Sequence, residues 1–487
     1  MSGRLVAGVD CSTQATKVLI VDPDTGEVVA TGRAPHEVTG DDGARETDPR
    51  TWWTALGQAL AETGRAADVG AIAVGGQQHG LVTMDASGAP IRPAMLWNDT
   101  RAAPDAAWLT ERLGAERWAA LTGLRPVASF TVSKWAWLRR TEPDAAARTR
   151  AIRLPHDYMT QRLAGRGVTD RGDASGTGWW TPSTGAYADE ILGLTEVAID
   201  RAMLPALLGP TEAAGTVTAA AAAELGLPDG VVVGPGTGDN MAAALGVGLR
   251  VGQPALSLGT SGTVFAVSER PTADPSGVVA GFADASGRFL PLAATLNCTL
   301  AVDRMAGWLG LDREDVAPSD SVVVLPFLDG ERTPDVPGAS GTVTGLRHES
   351  TPQQVLMATY EGAVASLLEA LGSIEALTGI SDPATPVVLV GGGARGAAWR
   401  EVVGRLSGRP LLIPDAAELV ALGAAVQACA TWRDEAPADV AARWGTASGT
   451  VVEPRTADRE RLARIAEIRD AIVGSPALSG SGRQRPA

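Results

Sequence analysis

The sequence predicts an α/β protein built as two large domains, and three observations carry that prediction. At 487 residues the chain is too long for one ordinary hydrophobic core. Short β-forming runs alternate with helix-forming stretches, the pattern of mixed sheets flanked by helices. A strand–turn–strand segment near the N-terminus recurs roughly half a chain later, as a duplicated architecture would require.

The elements follow in order. The first hairpin reads as residues 5–9, a turn over 11–16 and a second strand at 18–21. An apolar strand at 71–74 runs into Gly75, Gly76, Gln77, Gln78 and His79. Another at 231–233 passes through Gly234, Pro235, Gly236, Thr237 and Gly238 into a helix opened by Asp239. Gly246, Val247 and Gly248 mark a flexible crossing, so the expected domains are 1–247 and 248–474. The second hairpin reads as 255–258, a turn over 259–263, and 264–267. A strand at 387–390 then enters Gly391, Gly392, Gly393, Ala394 and Arg395, with a helix from Ala397. The tail 475–487, rich in Ser, Gly, Pro and Arg, is expected to be disordered.

Composition removes several function classes. A formal charge of −15 argues against general binding to nucleic acid or to an anionic membrane. No run of eighteen or more apolar residues suggests a membrane span, and the N-terminus lacks the pattern of an export signal. Cys11, Cys298 and Cys429 are scattered without CxxC spacing. They suit a reducing cytoplasm and make neither a disulfide scaffold nor a zinc site. Lysine occurs only at Lys17 and Lys134, so a phosphate site here would rest on backbone N–H groups, a metal ion or arginine.

The sequence carries no P-loop run and no protein-kinase motif set. What remains are the two hairpin turns, Asp10-Cys11-Ser12-Thr13-Gln14 and Gly259-Thr260-Ser261-Gly262-Thr263. Their small residues can present N–H and hydroxyl donors to an anion, and they equally suit ordinary tight turns. Asp10 ends a buried strand, where a carboxylate needs a partner or a metal such as magnesium. Asp239 could be a plain helix cap. Its glycine-rich approach also leaves room for a ligand, and the helix dipole should keep it ionised. Gln77, Gln78 and His79, with Trp97, Asn98, Asp99 and Arg101, are suited to gripping a polyol by hydrogen bonds and stacking. A histidine after a strand is also a common structural residue. Gly391-Gly392-Gly393 is either a nucleotide contact or a close-packed turn.

Together these residues resemble the FGGY carbohydrate kinases, from about Leu5 to about Ala430. Residues 129–140, with Lys134 and Trp137, resemble the first family signature and depart from it at Thr141; residues 341–361 match the second. The loops at 77–80, 96–99, 238–240, 258–262 and 330–334 look most like the branch that phosphorylates D-xylulose. The resemblance implies two actin-like, ribonuclease-H-type ATPase domains, with ATP and a sugar meeting in an interdomain catalytic cleft. It implies Asp239 as proton acceptor, Asp10 as the carboxylate near Mg2+, and Gln78 and His79 as the sugar-contacting pair with Asn240 adjacent; Trp97 and Asp99, from the polyol-gripping set, complete the expected substrate-binding residues. Thr13, Gly259 and Thr260 would match the phosphate loops and Gly392 and Gly393 the adenosine loop, with Ser12 and Lys17 as further expected ATP-binding residues. A homodimer is compatible with such an enzyme. Ser12 stands where many members have glycine, and Gln78 where bacterial members of that branch often have methionine.

Overall fold

The computed structural model describes residues 4–473, so the expected disorder of 475–487 lies outside the described residues. The chain divides into two compact units. Among the described residues the first comprises 4–249, 268–290 and 416–448, and the second 250–267, 291–415 and 449–473. The main crossing lies between Leu249 and Arg250. Two later segments nevertheless return to the first unit, which a division at 247/248 does not foresee.

The first unit is organised by a seven-stranded sheet. Its core strand, Leu5–Cys11, is buried at every position, as expected of a strand covered on both faces. It pairs antiparallel with Ala15–Val21, which in turn pairs with Val28–Pro35. On its other side it runs parallel to Val69–Gly76. Both hairpin strands are longer than the sequence suggested, and the turn shrinks to Ser12, Thr13 and Gln14. Val232–Val233 and then Thr237–Gly238 also pair parallel with Val69–Gly76. The register puts Asp10 opposite Gly75 and Cys11 opposite Gly76, with Thr237 and Gly238 facing the same two glycines. Three parallel strands therefore end at one level. In α/β sheets such carboxyl ends are where ligands bind.

The helix Leu419–Arg433, buried from Ala421 to Thr431, covers one face of this sheet. It lies so close that a Cβ on Gly8 would fall 1.9 Å from the Ala421 carbonyl oxygen. The helix Pro49–Thr63 approaches Gly32 in the same way, through Ala59. Only glycine permits these approaches.

The second unit repeats the plan. Pro254–Leu258 pairs antiparallel with Gly262–Ala266 and parallel with Val387–Val390, which is followed outward by Leu411–Pro414 and Gly449–Val452. The hairpin motif seen twice in sequence is thus the centre of a sheet in each unit. Pro352–Thr378 is long and apolar enough to cross a membrane by length and composition, but 72% of its apolar window is buried by protein. Its start is fixed by a capping box, in which Thr351 and Gln354 satisfy each other's backbone N–H groups.

Candidate active site

Most of the residues singled out from sequence gather where the first unit's parallel strands end. Asp10 is 4% exposed. Burial pushes its carboxyl up to about 6, against the opposing pull of Lys17. Lys17 Nζ lies 3.4 Å from Asp10 Oδ2 and donates to Glu418 Oε2 at 2.7 Å. The ammonium expected at phosphate is thus already shared between two carboxylates. Asp10 Oδ1 is buried and accepts no hydrogen bond among the described residues. In the adjoining turn, the Ser12 N–H and Oγ–H both donate to the Ala15 carbonyl, at 3.1 and 2.8 Å.

Asp239 opens the helix Asp239–Gly246, and the cap position is taken by Gly238. The helix dipole alone predicts an ionised carboxylate. The structure corrects that expectation, because the group is raised to about 7. Loss of water around the carboxyl is the main cause, and the like charges of Asp10 and Asp173 add to it. Asn240 opposes the shift by donating from its N–H at 2.8 Å and from Nδ2 at 2.9 Å, both to Oδ1. Oδ2 accepts no hydrogen bond from the described residues. Asn240 Nδ2 also reaches Gln78 Oε1 at 2.9 Å, so the predicted base and part of the predicted sugar set form one network.

His79 takes a left-handed backbone conformation, with φ of 66°. Its ring packs against Phe130 and Phe282, with centroids 5.0 and 5.5 Å away. A Cβ on Gly176 would strike it at 2.5 Å. Its carbonyl accepts from Thr131 Oγ1 and Lys134 Nζ, each at 3.2 Å. Trp97 is 38% exposed, and its indole N–H donates to Thr13 Oγ1 at 3.0 Å. Asp99 departs from expectation. Its side chain is enclosed, and its oxygens are taken by the Arg45 and Arg101 backbone N–H groups and the Arg101 guanidinium. It fixes the loop that carries Trp97, and the neighbouring charges leave it nothing for a sugar.

Behind this edge lies a buried cluster that the sequence reading missed. His156 Nδ1 is 2.6 Å from Asp173 Oδ2, and its Nε2 is 3.3 Å from Asp157 Oδ1. Thr237 Oγ1 donates to Asp170 Oδ2 at 2.7 Å. Burial opposes charge on His156, but Asp157, Asp173 and Asp170 together lift it to about 9. Asp173 in this cluster is one of the charges that raise Asp239. The available signal was charge inside apolar surroundings: His156-Asp157 ahead of Tyr158-Met159, and three aspartates within 170–173 and 157 that a solvated loop would not need to bury.

The second unit gathers the remaining loops. The Gly259 carbonyl accepts from the Thr299 N–H at 3.0 Å and from Thr299 Oγ1 at 2.8 Å. This seats the turn containing Thr260 at the N-terminus of the helix Thr299–Leu309. Gly391, with φ of 85°, and Gly393 pack on Leu258, where added Cβ atoms would meet it at 2.9 and 2.8 Å. Gly392 between them is exposed. Two loops far apart in sequence are therefore neighbours beside a helix N-terminus, an arrangement that favours anions.

Comparison with known proteins agrees with this geometry. The N-terminal domain model of the FGGY family of carbohydrate kinases matches residues 5–246, and the C-terminal domain model matches 255–432. The xylulose kinase of Streptomyces rubiginosus is 58% identical over 468 residues, which is 96% of each chain. That of Streptomyces coelicolor is 58% identical over 470 residues, again 96% of each. The crystal structure of xylulose kinase from Bifidobacterium adolescentis matches with a TM-score of 0.85 at 37% identity, covering 96% of this chain and 100% of that one. Both family domains are present in order and the relatives align over nearly their whole length, so the chain belongs to the FGGY family of carbohydrate kinases.

Proposed function

We propose that this protein transfers the terminal phosphoryl group of ATP to the terminal hydroxyl of D-xylulose, giving D-xylulose 5-phosphate and ADP. The choice of acceptor is supported by near-full-length likeness to xylulose kinases. The chemistry is supported by one observation above all: Asp239 has one carboxylate oxygen held by Asn240 and the other without a hydrogen bond from the described residues, and burial, with Asp10 and Asp173 adding to it, raises the group to about 7. A base poised near the working pH is well matched to proton transfer.

In this reading Oδ2 of Asp239 receives the proton of the acceptor hydroxyl. The sugar oxygen forms its bond to the terminal phosphorus as the bond from phosphorus to the ADP oxygen breaks. Gln78 and Asn240, already bonded to each other, would hold the acceptor with His79 and Trp97. In the second unit, the turn at Gly259 and Thr260 and the helix start at Thr299 would receive phosphate. Gly392 and Gly393 would pass the adenosine close to the main chain. Asp10 fits a magnesium ion, because Oδ1 is a buried acceptor without a hydrogen-bond partner among the described residues, and magnesium is held by one or two carboxylates together with substrate phosphates. Such an ion, when bound, neutralises phosphate charge. A homodimer belongs to this reading on family likeness, and sedimentation analysis decides it.

An ADP-release assay across D-xylulose, ribulose, a methylpentulose and glycerol tests the acceptor. D-Xylulose should give the highest kcat/KM, and a clear lead for any other would overturn the choice. Asp239→Asn should lower kcat by about a hundred- to ten-thousandfold while ATP still binds. Near-normal turnover would remove Asp239 from its role.

A further inference from the structure

We propose that Lys134 is a positioning residue for acceptor binding: together with Thr131 it grips the main-chain carbonyl of His79 and fixes the Gln78–His79 segment. The proposal rests on the reading of Gln78 and His79 as sugar contacts.

Lys134 is one of two lysines in the chain and is fully buried. No carboxylate forms an ion pair with it among the described residues. Its Nζ instead donates to two carbonyls, those of His79 and Ser129. Burying an ammonium in this way is costly unless its donors are occupied, and both acceptors here are loop carbonyls beside the proposed sugar site. Burial lowers its pKa to about 7, which Asp99 partly opposes.

The segment it holds is one that needs holding. A histidine with φ of 66° sits in a sparsely populated region that surrounding structure must over-determine. The short stretch from Ser129 to Lys134 provides that constraint from three directions. Phe130 packs edge-on against the His79 ring. Thr131 and Lys134 both reach its carbonyl. They can do so because Thr131 opens the helix Thr131–Thr141 and Lys134 is three residues on, which places them on one face. Backbone and ring of His79 are thereby fixed by a single helix start.

The test measures KM for the acceptor and KM for ATP separately, using whichever acceptor the wild-type protein turns over best. Lys134→Met keeps the apolar stem and removes the donors. It should raise acceptor KM roughly tenfold or more, since small misplacements of a contact cost large factors, with ATP KM little changed. Thr131→Val should shift acceptor KM the same way by a smaller factor, and Thr131→Ser should restore it. A folded Lys134→Met protein with unchanged acceptor KM, or with both KM values raised alike, overturns the proposal. If Lys134→Met does not fold, the Thr131→Val and Thr131→Ser pair decides: a rise reversed by serine supports the clamp, and no rise ends it. His79→Ala with unchanged acceptor KM would instead bring down the reading of the sugar site.

Discussion

A carboxyl group held near pKa 7 has both kinetic and stability consequences. As the proposed base, Asp239 must be ionised to accept a proton, so kcat/KM for the acceptor should rise about tenfold per pH unit below pH 7 and then level off. A flat profile from pH 5.5 to 8 would exclude it as the base. Its folded-state pKa lies above the unfolded value of 3.8, so the folded chain holds the proton more tightly. That contribution to stability is fully present below about pH 4 and is lost as pH rises through about 7. Asp239→Asn should therefore raise the thermal midpoint at pH 8 but hardly at pH 4. The gain should be on the order of 1–2 kcal/mol, discounted for the solvent that still reaches the side chain. Equal effects at both pH values would show that the shift is not the cause. Asp10 and Asp239 were legible in the sequence because each stands at a strand end or beside glycine. The shift on Asp239 was not, because it sums contributions from Asp10 and Asp173, which only the fold brings near. The cluster around His156 escaped notice for the same reason.

Elements reach the site through close packing of backbones, and glycine marks where. The helices Asp239–Gly246 and Leu419–Arg433 touch so tightly that a Cβ on Gly423 would lie 1.8 Å from the Ala242 carbonyl oxygen. No rotamer change relieves a clash with main chain, so Gly423→Ala must push the two helices apart. It should destabilise the first unit by about 1–3 kcal/mol or more. It should also lower kcat more than it raises ATP KM, because Asp239 rides on the displaced helix. Gly372, inside the helix Pro352–Thr378, is the contrasting case, with nothing within 4 Å of an added Cβ. Gly372→Ala should stabilise the second unit by roughly 0.5–1 kcal/mol and leave kinetics unchanged. Thermal melts and steady-state rates of the two variants separate a glycine needed for contact from one that is merely tolerated. Sequence patterning located these strands and helix starts well, since alternation and glycine punctuation are local. It could not say which glycines are pressed against another backbone, because the opposing helix begins far along the chain.

The division of the whole chain is a prediction in its own right. Reading a crossing at Gly246 to Gly248 leads to a first domain of 1–247, and a fragment with those ends looks complete in sequence. Within the first unit, however, the face of Leu5–Cys11 around Gly8 is covered by Leu419–Arg433. Ser268–Leu290 also returns, with the Gly281 N–H donating to the Gly123 carbonyl at 2.9 Å and the Ala283 N–H to Ser175 Oγ at 2.9 Å. Cutting at 247 would uncover a strand buried at all seven positions and the side of the Asp239 helix at Ala242 and Gly246, which packs on Gly423 and Leu419. It would also remove Glu418, leaving Lys17 to Asp10 alone. Apolar surface on that scale drives association. A 1–247 fragment should therefore aggregate or bind a hydrophobic dye and melt without a cooperative transition, while the full chain melts cooperatively. A monomeric fragment that melts sharply and binds D-xylulose as tightly as the full chain would show that the returning segments are dispensable. The division read from local sequence would then be the physical one.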